Sequence, residues 1–153
     1  MTEPTCLFLG PEENLTILKE IFSTRKISAE EIAMKINKNK GTVLNAIHDL
    51  KILALIENNM ETSDAARNIV YERGAKEALK ERFLAIKGNK ESVEEINTQK
   101  DYDPLGVGRT FCFHTHARAA KDSSLKQIGR LYLRWLRFLG LIEEIQEVKV
   151  DGN

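Results

Sequence analysis

The chain has 153 residues, 42 % hydrophobic and 30 % charged, with a formal net charge of zero, so it can bury a core and stay soluble. No apolar stretch approaches the roughly 18 residues of a membrane span, and the run Cys6-Leu7-Phe8-Leu9 before Gly10-Pro11 is too short and lacks the basic flank of a signal peptide. Cys6 and Cys112 lie far apart without CxxC spacing, which argues against a disulfide framework or a zinc site and fits a reducing cytoplasm.

Pro11 to Ser23 reads as a first helix behind a proline start signal, with Leu15, Leu18, Ile21 and Phe22 at helical spacing. Ser28-Ala29-Glu30-Glu31 offers a capping box for a second helix from Ala29 to Ile36 or Asn37. Asn37-Lys38-Asn39-Lys40-Gly41 is a turn. A third helix from about Thr42 to Leu53 collects Val43, Ala46, Ile47, Leu50 and Ala54 on one face, with Thr42, Asn45 and Asp49 opposite and His48 at the margin. Leu55 to Asn58 and Asn68 to Tyr71 can then pair as a hairpin around a polar tip, Met60 to Arg67.

Ala75 to Lys87 is strongly helical and ends at Gly88-Asn89. Glu91 to Asn97 fits a short helix, followed by an Asp-, Pro- and Gly-rich loop to Gly108. Thr110 to Ala120 alternates as a strand would at its start and favours helix at its end. The last helix, Leu125 to Leu139, is opened by a second capping box at Ser124 and Gln127. On it Ile128, Leu131, Trp135 and Leu139 share one sector, while Lys126, Arg130, Arg134 and Arg137 share the opposite one within about 80°.

One device occurs twice. Leu50-Lys51-Ile52-Leu53-Ala54-Leu55-Ile56-Glu57 returns 86 residues later as Leu136-Arg137-Phe138-Leu139-Gly140-Leu141-Ile142-Glu143, with five of eight positions identical. In each copy a helix stops at a small residue, Ala54 or Gly140, where positive φ is wanted. The repeat favours two units of about 70 residues, 1–73 and 74–153. Charge is unevenly spread between them. Residues 105–142 carry seven basic side chains against one acid, and 19–51 carry seven against four, while 57–103 hold eleven acids and eight bases. The basic footprints lie in the two segments that contain the repeat.

The residues Ser28-Ala29-Glu30-Glu31-Ile32-Ala33, Lys40-Gly41-Thr42-Val43 and the octapeptide resemble the winged helix-turn-helix superfamily, well over 11–73 and loosely over 75–147. The resemblance implies a mainly α fold with small β wings in two tandem units, and a third helix that enters the major groove of double-stranded DNA. Carried over, it puts Lys38, Lys40, Thr42, Asn45 and His48 at the DNA face, Arg67 on the wing, and Lys126, Gln127, Arg130, Arg134 and Arg137 on the second unit. Asn45 is the best base reader, because its amide can pair with adenine through two hydrogen bonds. Lys38 and Lys40 sit where a phosphate would lie.

The resemblance thus implies a transcriptional regulator or accessory factor of DNA transactions. A protein partner or a second copy of the chain is compatible, and no membrane is expected. Some winged helices act only as protein adaptors, which is the competing function. Cys112, His114 and His116 would share one face of a strand, yet a fourth ligand for tetrahedral zinc is not evident, so packing is favoured over metal. Gly106-Val107-Gly108 lacks the continuation of a phosphate loop, and neither a nucleophile elbow nor paired carboxylates with a base are present, so neither enzyme nor cofactor is expected.

Overall fold

A computed structural model describes residues 5–23, 28–57, 61–70, 75–119 and 121–143. Among them are eight α-helices: α1 (Pro11–Ser23), α2 (Ala29–Ile36), α3 (Lys40–Ile52), α4 (Asp64–Val70), α5 (Ala75–Ala85), α6 (Asn89–Gln99), α7 (Pro104–Thr115) and α8 (Asp122–Leu139). The expected boundary between residues 73 and 74 lies outside the described residues. No described helix is long and apolar enough to cross a membrane.

Local chemistry sets the first three helices. The capping box of α2 forms in full: the Glu31 amide donates to Ser28 Oγ at 3.2 Å, and the Ser28 amide donates to Glu31 Oε1 at 3.1 Å. The helix stops at Asn37, whose φ of 57° is left-handed, a conformation asparagine tolerates. Asn39 then caps α3 by accepting from the Thr42 amide at 2.8 Å, so this helix starts two residues before the expected Thr42. Ile32, Val43, Ala46 and Leu50 point inward and are buried with Ile17, Leu18 and Ile21 of α1.

The repeated octapeptide builds the same helix end twice. At α3 the Leu55 amide donates to Leu50 O at 2.9 Å and the Ala54 amide to Lys51 O at 3.0 Å. At α8 the Leu141 amide donates to Leu136 O at 2.8 Å and the Gly140 amide to Arg137 O at 3.3 Å. Both are Schellman closures around a left-handed residue, with φ of 59° at Ala54 and 67° at Gly140.

Beyond Leu55 the expected hairpin is corrected. Ile56 and Thr62 form one antiparallel bridge, flanked by Glu57 N–H to Glu61 O and Ser63 N–H to Leu55 O, at 2.8 and 3.0 Å. The segment expected to return as a strand is helical from Asp64 to Val70; Asn58, Met60 and Tyr71 lie outside the described residues. Ser63-Asp64-Ala65-Ala66 starts a helix better than it continues a strand, and Ala66 and Ile69 are buried in the core. A full β wing is therefore absent among the described residues.

The second half departs further from the expected loop and strand. Asp103 caps α7 by accepting from the Leu105 amide at 3.1 Å, and Pro104 occupies the first turn, so Asp-Pro opens a helix inside the stretch expected to be a loop. Gly106 and Gly108 are both helical, and Gly108 is there for a tertiary reason. A Cβ on Gly108 would collide with Leu125 O of α8, and one on Gly129 with Pro104 O of α7. The two helices cross backbone to backbone there. Helix α8 begins at Asp122, one turn earlier than the capping box at Ser124 suggested, and no side chain caps it.

The buried stripe of α8 is also shifted. Trp135 and Leu139 are buried as expected, but Gly129, Tyr132, Leu133 and Leu136 complete the stripe, while Ile128 and Leu131 are only partly covered. Phe83 of α5 sits at the centre, stacked on Trp135 at 5.4 Å and near Phe111 and Tyr132, which stack on one another at 3.9 Å.

An extended strap, residues 5–10, ties the two halves. The Leu7 amide donates to Tyr132 Oη and Trp135 Nε1 donates to Leu9 O, both at 2.8 Å. On its other side the Phe8 and Leu9 amides donate to the two Asp49 carboxylate oxygens, also at 2.8 Å. One continuous hydrophobic cluster runs from Cys6 to Leu139.

Candidate nucleic-acid interface

The face that α3 leaves outside is set by its own geometry. With Val43, Ala46, Asp49 and Leu50 buried, Gly41, Leu44, Asn45 and Lys51 are exposed, and Thr42 and His48 half-buried. Asn45 is free of the core, as a base reader needs. Lys38 is exposed on the turn that precedes the helix. Lys40 reaches back to Glu30 at 3.1 Å and holds that carboxyl below the usual range, through a pair exposed on both sides that a phosphate could displace cheaply. Thr42 Oγ1 donates to Asn39 Oδ1 at 3.0 Å, so its hydroxyl is committed to the cap.

Asp49 was expected on this outer face and is instead buried. Its Oδ2 takes a third hydrogen bond from Asn14 Nδ2 at 3.0 Å, besides the two strap amides. Burial pushes its carboxyl above the ordinary value, and the three donors pull it only part of the way back. Its role is structural: it holds the strap on α3. His48 is likewise engaged, its ring stacked on Phe8 with centroids 4.2 Å apart and planes 18° apart.

Helix α8 presents Lys126, Gln127, Arg130, Arg134 and Arg137 to solvent, on the side away from Tyr132 and Leu136. They are not equivalent. Arg134 spans to α1, with Glu13 at 3.0 Å and Glu12 at 3.2 Å, so its charge is largely answered within the chain. Arg67 lies exposed on α4 instead of on a wing tip.

An open groove of about 820 Å3 joins the two helices, with His48 on the α3 side and Gln127, Arg130 and Arg134 on the α8 side. Lys38, Lys40, Thr42, Asn45, Arg67, Lys126 and Arg137 are outside its lining. Two lining residues escaped sequence reading: Phe8, which is 52 % exposed, and Arg118. Phe8 belonged to a short apolar run with no visible periodicity, and Arg118 figured only in the local charge balance. Nothing local marks either as lining a groove with His48.

Residues 13–61 match the family model described as Winged helix-turn-helix transcription repressor, HrcA DNA-binding. Over this segment the chain is similar to a winged helix-turn-helix DNA-binding domain. The matched stretch begins inside α1, covers the whole of the α2-turn-α3 unit, and ends next to the Ile56–Thr62 bridge. No curated protein and no solved structure matches the chain. In a winged helix-turn-helix the second helix of the motif, to which α3 corresponds in position, carries the reading face; here Asn45 and Lys51 are exposed on α3 and Lys38 on the turn before it.

The Cys112, His114 and His116 pattern dissolves once the segment is helical, because alternate residues no longer share a face. Cys112 is buried, His114 Nε2 lies 3.0 Å from Glu95 Oε1, and His116 ends α7 with a φ of 60°. Among the described residues no three His, Cys, Asp or Glu side chains are grouped to hold a metal ion. The two thiols are both buried, which pushes Cys6 up to about 11 and raises Cys112 as well.

Proposed function

We propose that the chain is a cytoplasmic DNA-binding regulator that grips duplex DNA from two sides, with α3 reading and α8 anchoring. The observation that carries this reading is the groove bordered by both helices: His48 of α3 faces Gln127 and Arg130 of α8 across it, so the two basic elements address one side of the molecule. The family description of a transcription repressor's DNA-binding domain supports the same role for residues 13–61. Asn45 supplies the base contact; Lys38, Lys126, Arg130 and Arg137 supply phosphate contacts. The paired helix ends at Ala54 and Gly140 support a second, divergent unit of the same ancestry.

An adaptor role is the second reading, favoured by Leu44, which is 48 % exposed in the middle of the outer face of α3 where a base reader would ordinarily be polar. Salt separates the two. Duplex binding measured at two ionic strengths should weaken steeply, and Arg130→Ala should lower the slope of log K against log salt by about 0.9, one phosphate's worth of released counterions. Arg134→Ala should change the slope less, since Glu12 and Glu13 already answer that charge. A flat salt dependence would remove DNA in favour of the adaptor.

A further inference from the structure

The groove has a second character: beside Arg130, which the proposed function also gives to phosphate, it holds an apolar floor and Arg118 that duplex binding does not use. We propose that it is a receptor for a small organic anion, a planar apolar ring carrying a carboxylate, sulfonate or similar acid group.

Its size, about 820 Å3, falls within the range of roughly 300–1,000 Å3 typical of small-molecule sites. Its walls are of two kinds. Leu7, Ile128 and Leu131 make an apolar floor, and the Phe8 ring, stacked on His48 on one side, keeps about half its surface open. Arg118 and Arg130, both exposed, stand at the rim, and no described aspartate or glutamate lines the groove. Among the described residues neither of these two arginines has a carboxylate partner, whereas Arg134 is held by Glu12 and Glu13 and serves as part of the wall.

That combination selects the ligand class. A bare inorganic anion would satisfy the guanidiniums and leave the apolar floor wet. An uncharged ring would cover the floor while stripping water from two cations without replacing it. Only a molecule with both parts answers both surfaces: the ring lies on Leu7, Ile128 and Leu131 beside Phe8, and the acid group takes charge-assisted hydrogen bonds from Arg118 and Arg130. A cationic ligand is excluded by the same rim.

The test uses the full chain without nucleic acid, so its outcome is independent of the duplex-binding reading. 1-Anilinonaphthalene-8-sulfonate, which pairs a fused ring with a sulfonate, is titrated and followed by its fluorescence; the expected result is one saturable site per chain. The double variant Arg118→Ala/Arg130→Ala should weaken binding about tenfold or more, since even one lost charged hydrogen bond is worth that much. Phe8→Ala should weaken it several-fold, and the neutral N-phenyl-1-naphthylamine should not distinguish wild type from the arginine variant. Arg109→Ala/Lys19→Ala removes the same net charge elsewhere and should leave binding intact. Unsaturable binding, equal affinity in the arginine variant, or equal weakening by the remote pair would each overturn the proposal. Both arginines are exposed, so thermal melts of the variants should match wild type.

Discussion

Asp49→Ala tests the strap most directly. The carboxylate, itself fully buried, accepts from the Phe8 and Leu9 amides at 2.8 Å and from the buried Asn14 Nδ2 at 3.0 Å. Alanine strands three donors at about 1–3 kcal/mol each, while it also relieves the desolvation of the carboxylate, a real cost because burial raises its pKa. With the strap free to shift and water free to enter, the balance is a loss of about 3–5 kcal/mol, a large part of a domain's roughly 5–15 kcal/mol. Asp49→Asn keeps one acceptor oxygen but turns an amide nitrogen toward a donor, and should lose about half as much. Urea unfolding gives the free energies, and hydrogen exchange of the Phe8 and Leu9 amides gives the locality. A loss under about 1 kcal/mol, or unchanged protection of those two amides, would refute the strap's dependence on Asp49.

Three further outcomes are expected. Ala54→Gly should stabilise by about 0.5–1 kcal/mol and Gly140→Ala should destabilise by about 1 kcal/mol, since both residues are left-handed and a Cβ on Gly140 meets nothing within 4 Å, leaving only backbone strain; calorimetric melts of the pair decide it. Trp135→Ala should cost about 3–5 kcal/mol through the cavity beside Phe83 and the loss of the hydrogen bond to Leu9 O, and a variant that melts like wild type would contradict the packing of α8. The Asp49 pKa is raised on folding, so the folded state binds more protons; stability relative to Asp49→Asn should be highest below the ordinary value of 3.8 and decline as pH rises through the raised folded value, which pH-dependent urea midpoints would show.

The sequence by itself determined what is decided within a few residues. Pro11, the Ser28–Glu31 capping box and the αL-tolerant Asn37 bound α1 and α2 at the positions observed, and the repeated octapeptide dictates both Schellman closures, because these depend on hydrogen bonds no more than five residues apart. The polar face of α8 follows equally from the 100° step, and its arginines are exposed as that step requires.

Tertiary structure decided the rest. Gly108 looks like a loop residue until α8 crosses it, at a distance that leaves no room for a Cβ there or on Gly129. Asp49 looks like a solvated acid on a polar face until the strap, forty residues upstream, brings two unpaired amides to it. Arg134 looks like a phosphate ligand until α1 sets Glu12 and Glu13 beside it, and Phe8 and Arg118 come to line one groove with His48 only because the strap lies between α3 and α8. In each case the deciding partner is far away in the chain, and a side chain's charge or size states what it needs without stating which distant group will supply it.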